Sequence, residues 1–286
     1  MQEINGFIRY LKEPNSIHPS ARVFTKVIHV EVDNEYKDRL VRIYLPSTYD
    51  FSNPNKRFPV IYMFDGKNLF DDYTSFVGEW GIDESIEEMI SNGETDGIIV
   101  VGIDSAPTNI DRSEEMIPEE VTITKKYFKN VKGYASKLGD YIFKELKEEI
   151  DSTFYTLSDK KNTGVGGSSM GGLMSYYLYY KYKDYIGYSL SFSPAFFLLT
   201  KKSLKENLET YINNPDDLGK MFLYVGGVGF ESLFTEPTKY AYEHFRNVGF
   251  KDDQVHLLID MSQEHNERAW RIYFKDAIRF FNFLKE

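Results

Sequence analysis

The segment from Asn162 to Tyr180 constrains the fold of this 286-residue chain more than any other. Asn162 to Val165 can finish a short buried strand. Gly171 opens a helical pattern through Leu173, Tyr176, Tyr177 and Tyr180. Between the two lies Gly167-Ser168-Ser169-Met170-Gly171, which fits G-x-S-x-G, the sharp strand-to-helix turn that exposes a nucleophilic serine. The spacing has a steric cause. A serine at such a tip sits in strained backbone, and a side chain at either flanking position would strike the neighbouring strand or helix; glycine removes the clash. The turn also aims the Met170 amide, at a helix N-terminus, towards negative charge developing beside Ser169. A glycine-rich loop that merely contains serines is the plain alternative. The strand before and the helix after argue against it.

The remaining pattern is that of an α/β protein. Arg22 to Val32 and Arg39 to Leu45 alternate as an antiparallel strand pair. Phe58 to Phe64 and Gly97 to Ile103 are continuous apolar runs of buried-strand type, and a helical segment, Ile82 to Ser91, lies between them. Lys132 to Ile150 has a helical pattern; Gly187 to Phe192, Lys220 to Val225 and Val255 to Ile259 have strand patterns. Helices are expected at Leu204 to Ile212, Pro237 to Val248 and Asn266 to Phe283. Such alternation implies a mostly parallel central sheet with helices on both faces, and antiparallel strands at its N-terminal side. No repeat or composition break divides the chain, so a single domain over 1–286 is expected. Residues 1–19 are expected to be a surface lead-in, and the polar stretch 104–131 a lid or pocket-covering loop.

Charge and composition narrow the chemistry. A formal net charge of −10 leaves no basic surface for nucleic acid. With no cysteine, thiolate catalysis and Cys-ligated metals are excluded. No basic start followed by an apolar run is visible, and no window reaches the ~20 apolar residues of a membrane span. The expectation is a cytoplasmic protein with a small-molecule partner, neither nucleic acid nor membrane, its homo-oligomeric state left open.

A serine hydroxyl needs a base, usually histidine, to take its proton. Of five histidines, His18 lies in the lead-in, His29 in an early strand, His244 within a helix and His256 within a strand. His265 follows a strand and precedes the last helix, where the order Ser…acid…His places its final member. The acid should follow the preceding strand. Glu231 is the first carboxylate after Lys220 to Val225, with Glu236 next and Asp260 or Glu267 as outsiders. A second oxyanion amide is expected in the loop after Phe64, at Lys67 or Asn68, because Gly66 allows a sharp turn there. Trp80 is a candidate pocket wall. The tyrosines of 176–182 have the spacing of a packed helix face.

Four stretches, Tyr62 to Asp72, Gly78 to Asp83, Gly166 to Gly172 and Glu264 to Trp270, resemble the "Putative esterase" family. This is the esterase D-like branch of the α/β-hydrolases, with feruloyl, acetyl-xylan and enterochelin esterases. The resemblance spans roughly residues 20–286. It implies an α/β-hydrolase fold and a serine esterase needing no metal or other cofactor. It also implies a triad of Ser169, an acid and His265, with oxyanion donors at Met170 and near Lys67. Arg112, Glu114 and Pro118 would lie over the pocket. Two departures stand out: Phe64 replaces the family's usual histidine before Asp65-Gly66, and extra glycines precede Glu231. A Ser–His dyad, an acyltransferase and a binding module without catalysis are the alternatives to a hydrolase acting on an acetyl, aryl or siderophore-type ester.

Overall fold

A computed structural model describes residues 3–10, 22–32, 35–124 and 131–283. His18, residues 11–19 of the expected lead-in, and residues 125–130 of the expected lid lie outside them. The chain divides into two compact units. One takes the described residues of Met1–Ser105, Tyr141–Gly164 and Asn266–Glu286; the other takes those of Ala106–Asp140 and Val165–His265.

In the first unit the strands are β1 (Glu3–Ile4), β2 (Phe7–Arg9), β3 (Val23–Val32), β4 (Glu35–Tyr44), β5 (Val60–Phe64) and β6 (Ile99–Ile103). They lie in the order β1-β2-β3-β4-β6-β5. The pairings from β1 through β4 to β6 are antiparallel, and β5 runs parallel to β6. Helix α1 (Ile82–Ser91) connects those two parallel strands. The lead-in therefore contributes strands where a surface segment was expected, and Phe7 is fully buried. Two strands of two and three residues carry no readable alternation, which is why the sequence hides them. The expected helix over 132–150 is α3 (Ala135–Tyr141) and α4 (Lys147–Thr153), joined by a π turn at Ile142–Leu146. The last helix, α8 (Glu267–Phe281), is capped by the Asn266 side chain, which accepts from the Ala269 amide.

In the second unit β7 (Thr163–Ser168, of which Val165–Ser168 belong to this unit), β8 (Tyr188–Phe192), β9 (Lys220–Gly226) and β10 (Val255–Asp260) follow in that order. β8, β9 and β10 are parallel, so their carboxyl ends share one edge. Helix α5 (Met170–Lys181) is buried from Met170 to Tyr180. Its tyrosines pack as the spacing predicts, each large buried ring contributing on the order of 2 kcal/mol. Tyr176 donates to the Asn207 side chain at 2.8 Å and Tyr179 to the Gly219 carbonyl at 2.8 Å. Burial holds both hydroxyls well above the usual tyrosine pKa, so they stay neutral donors.

Three helices differ from expectation. The stretch 104–131, expected to be irregular, contains α2 (Asn109–Met116), whose N-cap Thr108 accepts from the Asp111 amide. α6 (Lys201–Tyr211) starts at a similar cap, Thr200 accepting from the Ser203 amide. α7 (Ser232–Asn247) starts five residues before Pro237, the proline expected to open it. Among the described residues no helix is long and apolar enough to cross a membrane.

Candidate active site

Ser169 caps α5 at φ 57° and ψ −117°, a conformation that L-residues rarely adopt. From Thr163 to Tyr180 it is the one residue that is not fully buried. The strain is held by its surroundings. The Ser169 amide donates to the Phe192 carbonyl at 2.9 Å, and its carbonyl accepts from the Ala195 amide at 3.0 Å. A Cβ on Gly167 would lie 2.8 Å from the Gly171 carbonyl carbon, so the flanking glycine is required by close approach of two backbones. Met170 is the first residue of α5, where amides have no partner within the helix.

The structure brings Glu231 and His265 together: one Glu231 carboxylate oxygen, Oε2, contacts His265 Nδ1. Glu231 is completely buried, and the His265 side chain keeps 14% exposure. The other oxygen, Oε1, accepts from Ser193 Oγ at 2.5 Å and from the Gly226 amide at 2.8 Å. Glu231 stands at the N-terminus of α7. Phe234 stacks face to face on the imidazole at 4.3 Å, and Phe230 meets it edge-on at 5.3 Å.

The other candidate acids and described histidines have other partners. Glu236 is 82% exposed and pairs with Lys239 at 3.0 Å. Asp260 accepts from Ser262, and Glu267 accepts from the Asn68 side chain at 3.0 Å. His29 pairs with Asp38, His244 contacts the Ile212 carbonyl, and His256 stacks on Phe222.

The extra glycines before Glu231 have a packing cause. The amides of Gly227 and Val228 both donate to the Gln263 carbonyl, at 3.1 and 3.0 Å. A Cβ on Gly226 would come within 2.6 Å of that same carbonyl oxygen and 2.8 Å of Glu231 Cγ. The loop carrying the acid is thus clamped to the loop carrying the histidine. Gly226→Ala is expected to cost about 1–3 kcal/mol by overpacking. A lowered thermal midpoint together with weaker ester hydrolysis checks this.

In the first unit, Asp65 opens the loop after β5 at φ 56°. The Asn68 amide donates to the Asp65 carbonyl at 2.8 Å, so of the two amides named from the sequence this one is committed within its own turn. The Lys67 carbonyl accepts from Thr74 Oγ1 at 2.6 Å. Trp80 is 2% exposed and packs on Trp270 at 5.5 Å. Arg112 is half-buried on α2.

A groove of about 740 Å³ in the second unit is lined by Phe196, Phe197, Leu199, Leu204, Pro237 and Tyr240, with lysines at its rim. Phe197 packs edge-on against Phe230 and Phe234, the rings that frame His265. Sequence reasoning missed Ser193, Phe230 and Phe234, because only tertiary packing brings them to the histidine.

The family described as "Putative esterase" matches residues 36–274. The Uncharacterized protein YbbA of Bacillus subtilis (strain 168) is 21% identical over 249 residues, covering 85% of this chain and 92% of the relative. Among solved structures, the BES protein from Bacillus cereus is similar with a TM-score of 0.68 at 19% identity, over 94% of this chain and 98% of that one. A ferulic acid esterase is similar with a TM-score of 0.66 at 16% identity, over 92% and 98%. At these identities the structural likeness speaks for the fold, that of α/β-hydrolase-type esterases. The family match spans most of the chain, and on it the protein belongs to the "Putative esterase" family.

Proposed function

We propose that the protein is a serine carboxylic-ester hydrolase that works through an acyl-enzyme on a small acetyl, aryl or siderophore-type ester. One observation carries the reading: a strained, solvent-reachable Ser169 stands in the same compact unit as a buried Glu231 that contacts His265 Nδ1. His265 Nε2 accepts the Ser169 Oγ proton as Oγ bonds to the substrate carbonyl carbon. The Met170 amide receives the negative charge on the carbonyl oxygen. Nε2 then gives its proton to the departing alcohol as the ester C–O bond breaks. Water repeats the sequence on the acyl-enzyme, releasing the acid and restoring the serine. Throughout, Glu231 keeps the Nδ1 proton in place and steadies the imidazolium.

The apolar groove beside Phe197 supports a substrate with a hydrophobic or aromatic part. Incubation with a fluorophosphonate followed by peptide mass spectrometry tests the nucleophile. The expected result is one stoichiometric adduct on Ser169. A protein that stays unlabelled, or is labelled on another serine, would reject the proposal.

A further inference from the structure

Ser193 follows β8 directly, has no exposed surface and sits at φ 44°. A buried serine in left-handed backbone is costly, and glycine would take that conformation without strain. The hydroxyl explains the choice. It donates to Glu231 Oε1 at 2.5 Å, while the Ser193 amide donates to the Tyr224 carbonyl of β9 at 2.7 Å. With the Gly226 amide on the same oxygen, two donors fix the plane of the carboxylate and leave Oε2 directed at His265.

The same short segment also restrains the serine. Phe192 and Ala195, on either side of Ser193, make the two backbone hydrogen bonds that hold Ser169 in its turn. Residues 192–195 therefore brace Ser169 through backbone and Glu231 through a side chain. Given the esterase reading on which it rests, we infer that Ser193 is a positioning residue for the reaction. Its hydroxyl sets the orientation of Glu231 and, through it, of the His265 imidazole.

The test is a set of variants assayed for kcat, KM and thermal midpoint: Ser193→Ala, Ser193→Gly, Glu231→Gln and the double variant S193A/E231Q, with Ser169→Ala alongside. Both Ser193 variants should lose about ten- to hundredfold in kcat, the size of one hydrogen bond to a charged group, with KM held within about twofold. Glycine relieves the backbone strain, so Ser193→Gly should melt no lower than Ser193→Ala and yet be equally impaired. In the Glu231→Gln background, Ser193→Ala should add little, because both act through one group. Full kcat in either single variant, activity that follows the thermal midpoint, or losses that multiply in the double variant would each overturn the inference. The Ser169→Ala control separates this failure from that of the esterase reading. If it retains hydrolysis, the nucleophile itself is wrong. If it is inactive while the Ser193 variants are unimpaired, only the role of Ser193 falls.

Discussion

Ser169→Ala should lower kcat/KM for p-nitrophenyl acetate by about 10⁴-fold or more, or at least ~5 kcal/mol of transition-state stabilisation. The size follows from what is lost. Without Oγ no acyl-enzyme forms, and only the Met170 amide and substrate binding remain to favour direct attack by water. The fold should be nearly indifferent, since the residue is half-buried and its backbone hydrogen bonds persist in alanine. A steady-state assay with a thermal melt on the same sample decides the matter. A near wild-type rate in a folded variant would remove Ser169 from the mechanism.

Glu231→Gln should follow, with a loss of roughly 10³–10⁴-fold. The environment of this carboxylate makes the substitution unusually discriminating. Oε1 accepts from two donors, Ser193 Oγ and the Gly226 amide, and Oε2 faces His265 Nδ1. An amide nitrogen placed at Oε1 would oppose the Gly226 N–H. Placed at Oε2, it would force the proton onto the wrong imidazole nitrogen. Neither orientation satisfies the site, so stability should fall as well, by about 1–3 kcal/mol for a buried group left unmatched. Retention of the rate within tenfold would favour the Ser–His dyad over a triad.

Legibility in the sequence follows the range of the interactions involved. The strand, turn and helix around Ser169 have a local signature, the glycines that let Gly167 and Gly171 approach, so five residues announce them even though Phe192 and Ala195 also brace the turn. His265 could be put forward by elimination and Glu231 by its order after a strand, and the two are in contact. Ser193 could not, because its meaning depends on a carboxylate 38 positions away. The helices at Thr108 and Thr200 carried readable caps, each threonine accepting from the amide three residues on; the first lies in a stretch whose polarity suggested a loop, and the second begins a helix expected only from Leu204. Pro237 misled in the opposite direction. Prolines favour helix starts, but α7 begins earlier because Phe234, Thr235 and Thr238 bury the face on both sides of it. The packing of Trp80 on Trp270 joins two positions 190 residues apart and has no local signal.

The Gln263 carbonyl accepts from both residues that follow Gly226, so two loops distant in sequence share one anchoring point. A designer wishing to alter either one would find its length dictated by the other. Swapping in a relative's acid-bearing segment alone should misplace the imidazole, whereas exchanging 226–231 and 261–265 as one cassette preserves their register.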